Sequence, residues 1–185
     1  MDPNNFFLKT KIDTPKFSTQ MIKDAYVVYK DHQTKLLLSN PPLNSILSRE
    51  TLTSLEKCGL LPTGLRIFIW QPNQFNLWHI DGAPKQLINF SLNWVISGAG
   101  EIQWNKEIKG LADNDVAYGS IESSSSDEYE ISTFGHQCLI NTSIPHRVVT
   151  DGMGRLSVCL CWDTNSSVYS FEEAGQRLKS VGLIS

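Results

Sequence analysis

Short strand-like segments, separated by turn-forming residues, fill the chain between residues 64 and 163. They are rich in β-branched and aromatic residues, and Gly, Pro, Asn and Asp stand between them, a pattern typical of consecutive β-strands. The segments read GLRIFIWQP, INFSLNWVIS, GEIQWN, DVAYGSI, QCLINTS, HRVVT and RLSVCLCWD. So many short strands in succession predict a mainly β domain, a sandwich or barrel of the jelly-roll kind.

The ends of the chain have a different pattern, and no repeat or long linker divides its 185 residues. We predict a single domain with a mixed, partly helical part at 1–63, a jelly-roll core at 64–163 and a C-terminal helix at 164–185. The flanking helices are expected to lie at the N- and C-terminal ends of the β region.

Capping signals place two of these helices. In LSRETLTSLEKCGLLP, Ser48 is positioned to cap the start of a helix and Gly59 to end it. In SFEEAGQRLKSVG, Ser170 and Glu173 have the spacing of a capping box, and Gly182 follows the helix.

Composition restricts the partners. Hydrophobic residues make up 41% and charged residues 19%, and the formal net charge is -3. This balance offers no basic excess to attract nucleic acid or an anionic membrane, so we expect neither partner. The four cysteines form no CxxC pair, and the start MDPNNFFLKTKID lacks the pattern of a secretory signal. We therefore expect reduced thiols and a cytoplasmic protein.

A histidine and an aspartate stand two apart in the segment NLWHIDG, at what reads as a strand end. Successive side chains of a strand alternate faces, so His79 and Asp81 point to the same side. A buried ionised carboxylate is costly without a positive partner. Either this edge of the strand faces water, or the pair holds a metal.

A metal site needs at least one further ligand. His32 lies in the charged segment KDHQTK and is expected to be exposed, whereas His136 in FGHQCL fits either role. His146 begins a predicted strand directly after a proline. Two histidines and one carboxylate form the facial triad of non-haem Fe(II) oxygenases, which leaves three positions open for co-substrate and oxygen. Spacing alone does not distinguish such a triad from chance.

The segment HRVVTDGMGRLSVCLCWD is predicted to form a hairpin with its turn at DGMG. If Asp151 and Gly154 flank the tip, the pairing puts His146, Arg155 and Ser157 on one face. Arg155 would lie about four residues from His146, roughly 13 Å at ~3.3 Å per residue. That gap suits a small dicarboxylate, one end on a metal and the other paired with the guanidinium. The alternative is a surface arginine that closes a hairpin.

These residues resemble a known signature. HID at 79–81, the histidine at 146 and RLS at 155–157 are similar to the HxD…H…RxS pattern of the Fe(II)/2-oxoglutarate-dependent oxygenases. The resemblance covers the strand-rich part of the chain, roughly residues 64 to 163. It implies a double-stranded β-helix, which is a jelly roll with flanking helices, and agrees with the fold predicted from the strands.

The resemblance also implies roles for individual residues. His79, Asp81 and His146 would ligate Fe(II). Arg155 would pair with the distal carboxylate of the co-substrate 2-oxoglutarate, and Ser157 would donate a hydrogen bond to it. The implied reaction uses O2 and yields succinate and CO2.

Three further side chains are candidates for the pocket. Asn93 lies on one strand face with Ser91 and is predicted to contact co-substrate or substrate, the alternative being a bond to loop backbone. Trp70 and Trp78 are candidates to line the substrate pocket, although large aromatics more often belong to a core. The polar stretch ESSSSDEYE at 122–130 reads as a solvated loop or as a flap over the site.

Three functions share this predicted fold. The first is an oxygenase that hydroxylates an unactivated C–H bond of a small molecule or a peptide side chain. The second is a cupin-type metalloenzyme that does not use 2-oxoglutarate, and the third is a non-catalytic jelly-roll module that binds a ligand or a protein. Because the fold is common to all three, only the site can separate them.

Overall fold

A computed structural model gives the architecture of most of the chain. It describes residues 6–18, 20–21, 23, 36–39, 43–75, 78–80, 90–105, 120–121, 130–132, 137–162 and 170–184. The strands are β1 Phe7–Lys9, β2 Leu36–Ser39, β3 Gly64–Trp70, β4 Trp78–His79, β5 Phe90–Trp104, β6 Ser120–Ile121, β7 Glu130–Ser132, β8 Gln137–Asn141 and β9 His146–Cys161. The helices are α1 Leu43–Ile46, α2 Arg49–Lys57 and α3 Phe171–Ser180.

Two long strands, β5 and β9, run antiparallel to each other and take part in two parts of one sheet. All nine strands are hydrogen-bonded in one sheet, whose main path has the order β1-β8-β5-β9-β3-β2. The part of it that contains the first half of β5 and the second half of β9 is called here the first sheet. Their other halves join β4, β6 and β7 in a second part, called the second sheet, with the order β6-β4-β9-β5-β7. The protein is thus a mainly β, antiparallel jelly roll, as predicted from the sequence.

Both long strands bend at glycines. Gly98 pairs with Arg155 and Gly100 with Thr150, so β9 carries three more residues than β5 across the bend. Gly98 has a φ of 79°, and a Cβ built there would lie 2.0 Å from the carbonyl oxygen of Gly154. Only glycine allows this conformation together with this close approach of two backbones.

The predicted hairpin at DGMG is wrong. Val148 pairs with Ile102 and Ser157 with Val95, so both halves of β9 pair with β5. The local turn chemistry is present, because the Asp151 carboxylate accepts a hydrogen bond of 2.9 Å from the backbone N–H of Met153. It shapes a bulge inside one bent strand, because β5 offers a continuous partner to both halves.

The predicted helix caps are confirmed. The Ser48 hydroxyl accepts a bond of 3.2 Å from the backbone N–H of Thr51, and Gly59 follows the helix with a φ of 70°. The Ser170 hydroxyl accepts a bond of 3.1 Å from the backbone N–H of Glu173, which is one half of the predicted capping box, while the Glu173 carboxylate accepts a bond of 2.8 Å from Arg177. A lost cap of this kind costs about 1 kcal/mol.

The main core lies between the outer face of the first sheet and the helices, and a smaller cluster lies on the other face. The main core includes Leu55, Leu65, Ile67, Leu92, Trp94, Leu139, Val158, Leu160, Phe171 and Leu178. The smaller cluster consists of Phe6, Ile102, Trp104, Cys138 and Ile140. Because its members come from both sheets, this second cluster marks the interior between them.

Two other expectations meet the structure only in part. The 1–63 part supplies α1 and α2 and also strands at both edges of the first sheet, while the three-part division remains a prediction. The loop at 122–130 lies outside the described residues except for the backbone of Glu130. In the part of the chain that the structure describes, no helix is long and apolar enough to cross a membrane.

Candidate metal and co-substrate site

Two histidines face each other inside the second sheet. His79 on β4 is paired directly with His146 on β9, and directly opposed residues of an antiparallel pair share a face. The centroids of the two rings are 4.4 Å apart, with 46° between their planes. His146 is buried, and His79 is half-buried. Strand pairing therefore brings together the two histidines that the sequence analysis selected.

The His146 ring is held in one orientation by the backbone. Its Nδ1 lies 2.9 Å from the carbonyl oxygen of Ile144. A carbonyl oxygen only accepts, so this hydrogen bond places the ring proton on Nδ1. In the neutral imidazole Nε2 then carries the lone pair, and a backbone partner on the other nitrogen is the usual support of a metal-ligating histidine.

The spacing of the two rings fits a shared metal ion. With metal–nitrogen distances of about 2.1 Å, ring centroids about 1.1 Å further out and a ligand angle near 90°, two imidazoles on one octahedral ion would have centroids about 4.5 Å apart. The observed 4.4 Å agrees with this value. In the described residues, no group of three or more His, Cys, Asp or Glu side chains is placed to hold a metal ion. Asp81, the predicted third ligand, lies outside those residues.

The predicted co-substrate residues lie on the interior face of the first sheet. Arg155 pairs with Trp70 and Ser157 with Phe68, two positions apart, so both side chains of β9 point the same way. Arg155 is 4% exposed and Ser157 is 5% exposed. Burial lowers the pKa of the Arg155 guanidinium from 12.5 to about 10, so the group still carries its charge at neutral pH.

One cysteine connects the arginine to the histidine pair. Cys138 on β8 lies close enough to Arg155 to influence its pKa. Cys138 also belongs to the interior cluster that contains Trp104, and Trp104 is paired directly with His146. His146 and Arg155 thus both border this interior and lie on one bent strand instead of the two strands of a hairpin. That His146, Arg155 and Ser157 form one site remains a prediction.

The Asn93 side chain is also buried in this interior. Asn93 is paired with Cys138 on one side and with Cys159 on the other. Its amide nitrogen donates a bond of 2.9 Å to the Ser91 hydroxyl, which is also hydrogen-bonded to the Cys159 thiol. Neighbouring side chains therefore orient the Asn93 amide, while its contact with a co-substrate remains a prediction.

The two candidate tryptophans lie on different faces. Trp70 is paired with Arg155 and shares its face. Trp78 directly precedes His79 on β4, so its side chain points to the opposite side of the second sheet. There the Arg147 guanidinium carbon lies 4.6 Å from the centre of the Trp78 ring. The role of either tryptophan in a substrate pocket remains a prediction.

Sequence reasoning missed Cys138 and Arg147. Alternation in QCLINTS puts Cys138 and Ile140 on one face, but only the pairing with β5 places that face in the interior. Cys138 forms no disulfide, and neither do Cys58 and Cys159. Burial raises the pKa of the Cys138 thiol to about 12, so it is uncharged beside the arginine at neutral pH.

Comparisons with known proteins give distant likenesses of fold. The sequence matches no family model and no curated protein. The structure resembles an oxidoreductase of the 2OG-Fe(II) oxygenase family from Burkholderia pseudomallei, with 11% identity, a TM-score of 0.40, and coverage of 58% of this chain and 47% of that one. It also resembles a mutant salicylate 1,2-dioxygenase from Pseudoaminobacter salicylatoxidans in complex with gentisate, with 10% identity, a TM-score of 0.41, and coverage of 88% and 35%.

A third likeness is to an oxalate oxidase in complex with the substrate analogue glycolate, with 13% identity, a TM-score of 0.34, and coverage of 60% of this chain and 50% of that one. This chain therefore spans half or less of the length of each of the three proteins. Likenesses at this level concern the fold and carry no information on the reaction.

Proposed function

We propose that this protein is an Fe(II)- and 2-oxoglutarate-dependent oxygenase. The observation that carries the proposal is the facing pair of His79 and His146, whose spacing fits one metal ion. Arg155 and Ser157 occupy the same interior, in the order of the HxD…H…RxS signature that the sequence resembles. Asp81, two residues after His79, completes the proposed ligand set.

In this proposal the imidazoles of His79 and His146 and the carboxylate of Asp81 would hold Fe(II). When bound, Fe(II) supplies the coupling of O2 reduction to the decarboxylation of 2-oxoglutarate. The Ile144 carbonyl keeps the proton of His146 on Nδ1, and so keeps its Nε2 available as a ligand.

Arg155 binds the distal carboxylate of 2-oxoglutarate in this proposal. Its planar guanidinium can donate two parallel hydrogen bonds to a carboxylate, and the Ser157 hydroxyl can add a third. Both groups are buried, and Coulomb attraction is stronger in an interior from which water is excluded. Burial raises the pKa of the neighbouring Cys138 thiol to about 12, so this thiol is uncharged at neutral pH.

The proposed reaction converts a C–H bond of the substrate to C–OH. One oxygen atom of O2 enters the product and the other enters succinate, and the carboxyl group next to the keto carbon of 2-oxoglutarate leaves as CO2. The proposed substrate is a small molecule or a peptide side chain. Trp70, on the face of Arg155, is the candidate to contact it.

The test is an anaerobic titration of the purified protein with Fe(II) and then 2-oxoglutarate. We expect a weak visible charge-transfer band that needs both additions. Arg155→Met is expected to lose the response to 2-oxoglutarate, and His146→Asn the binding of iron. Iron bound without a response to 2-oxoglutarate would favour a cupin-type metalloenzyme. No bound iron would leave a jelly-roll binding module and would refute the proposal.

A further inference from the structure

The segment that carries His79 contacts β9 at more than one place. β4 comprises Trp78–His79, with one residue paired to β9 and two paired to β6. Before it, Phe75 forms a bridge with Val149, and the backbone N–H of Thr150 donates a bond of 2.8 Å to the Gln74 carbonyl, so the backbone of this segment is held against β9. A rotation of β4 would turn His79 away from His146, so contacts on the other face of the strand are important for the spacing of the pair.

Such a contact lies directly behind the histidines. Trp78 precedes His79 and Arg147 follows His146, so both point away from the interior. The Arg147 guanidinium carbon lies 4.6 Å from the centre of the Trp78 ring, which is a cation–π contact between the same two strands. Trp78 is 5% exposed, and Arg147 is half-buried.

A glutamine fixes the position of the guanidinium. Gln103 on β5 is paired with Arg147, and its side-chain oxygen accepts a bond of 2.8 Å from Arg147 Nε. The Gln103 amide nitrogen lies 3.3 Å from a carboxylate oxygen of Glu101 and donates to it. Glu101 and Arg147 thus orient the two ends of the Gln103 side-chain amide, which is buried.

We propose that Arg147 is a positioning residue of the metal site, which clamps Trp78 to β9 and thereby holds His79 at ligand spacing from His146. The inference rests on the metal site of the proposed function and names a residue outside the HxD…H…RxS signature. Arg147 does not contact the metal in this proposal. It acts through Trp78, one step further from the metal than a direct hydrogen-bond partner of a ligand, whose loss changes metal affinity by about 10- to 100-fold.

The experiment measures Mn(II) binding to the full chain, from the loss of the electron paramagnetic resonance signal of free Mn(II). Arg147→Met keeps an aliphatic stem over Trp78 but removes the charge and the Nε donor. Arg147→Lys keeps the charge and also lacks the bond to Gln103. We expect a loss of affinity of about tenfold or more for Arg147→Met and a smaller loss for Arg147→Lys.

The matched control is Arg177→Met. Arg177 is likewise a half-buried arginine, with hydrogen bonds to the Cys58 carbonyl and to Glu173, but it joins α3 to the end of α2 and not β4 to β9. We expect this variant to lower the melting temperature without changing the Mn(II) affinity. The double variant Arg147→Met with Trp78→Leu should bind Mn(II) no more weakly than the weaker-binding of the two single variants, because each substitution removes the same contact between Arg147 and Trp78.

The outcomes separate this inference from the proposed function. Wild-type protein that binds no Mn(II) overturns both. Wild-type protein that binds, with Arg147→Met and Arg147→Lys equal to it in affinity, overturns the positioning role alone. Equal losses of affinity in Arg147→Met and Arg177→Met at equal losses of stability would also overturn it, because the effect would then be general destabilisation.

Discussion

His79 and His146 face each other across β4 and β9 with their ring centroids 4.4 Å apart, and their chain neighbours Trp78 and Arg147 meet on the other side of the same strands. The contact between β4 and β9 is thus held on both faces. The inner contact has the spacing of two ligands on one ion, and in the outer contact the Trp78 side chain is buried.

The first prediction uses the two nitrogens of His146 separately. His146→Asn keeps a donor near Nδ1 for the Ile144 carbonyl but removes the Nε2 ligand. We expect the metal-free variant to melt close to the wild-type temperature and to gain nothing from Mn(II). With Mn(II) at 100 times its Kd, the wild type should gain about 2.7 kcal/mol in the free energy of unfolding, which raises the melting temperature by roughly 5–10 °C.

The companion variant His146→Gln is expected to lose stability in the absence of metal, unlike His146→Asn. It places a polar group near Nε2 but leaves the Ile144 carbonyl without its donor, at a cost of about 1–3 kcal/mol in the absence of metal. A full Mn(II)-induced rise of the melting temperature in His146→Asn would show that Nε2 is not a ligand.

The second prediction grades the contacts to 2-oxoglutarate. Each hydrogen bond to a charged group is worth about 1.5–3 kcal/mol, and 1.4 kcal/mol is a factor of ten. We expect the KM for 2-oxoglutarate to rise at least about 100-fold in Arg155→Met and about tenfold in Ser157→Ala. Arg155→Lys should lie between them, because a lysine lacks the planar pair of donors.

Mn(II) affinity in the absence of 2-oxoglutarate is the internal control for this series. Arg155 and Ser157 pair with β3, whereas His146 pairs with β4, so their variants should bind Mn(II) like the wild type. A parallel loss of metal affinity and co-substrate affinity would argue that these side chains support the fold instead of binding 2-oxoglutarate.

Strand content and local caps could be predicted from the sequence, because they depend on nearby residues. Alternation placed Arg155 and Ser157 on one face, and Ser48 and Ser170 cap their helices as predicted. The path of β9 could not be predicted in this way. DGMG has the local chemistry of a tight turn, but its partner strand lies about 50 residues earlier in the chain, and that long-range pairing decides the outcome.

The candidate ligands were predicted from the order of a few residues in the sequence. The contact between Trp78 and Arg147 behind them was not predicted. Trp78 and Arg147 each adjoin a predicted ligand, so parity alone places them both on the opposite face if the histidines meet. That they contact each other depends on the register of β4 with β9, which the sequence does not encode locally. Asp81 lies outside the described residues and remains a prediction.

The third prediction concerns alkaline pH. Burial raises the pKa of Cys138 from 9.0 to about 12, so from pH 9 upward the unfolded chain loses a proton that the folded protein keeps. The stability that this thiol contributes is present below pH 9 and is lost as the pH rises toward 12. Arg155 acts in the opposite direction above about pH 10, because burial lowers its pKa from 12.5 to about 10.

Between pH 9 and 10 the pH dependence of stability therefore reports on Cys138 without an opposing contribution from Arg155. We expect the free energy of unfolding, measured in urea, to fall less steeply over this interval in Cys138→Ala than in the wild type. Comparing slopes removes the constant cost of the smaller side chain. Equal slopes in the two proteins would mean that the Cys138 pKa is not raised in the folded state.

The fourth prediction concerns the bend between the two sheets. Gly98→Ala places a Cβ at a φ of 79° and 2.0 Å from the carbonyl oxygen of Gly154, so the two bent strands must separate. Strain of this conformation costs about 1–3 kcal/mol and overpacking a similar amount. We expect a loss of at least about 2 kcal/mol in the free energy of unfolding, read from the urea midpoint at an unchanged m-value.

Gly152→Ala is the matched control, because it lies in the same bend but has open space around its Cβ position and no positive φ. Its effect should stay within about 1 kcal/mol, with a small gain if alanine restricts the unfolded chain. The bend also sets how the half of β9 with His146 meets the half with Arg155. Gly98→Ala should therefore weaken 2-oxoglutarate binding while Gly152→Ala does not. Equal stability of the two variants would contradict the close packing of Gly98 against Gly154.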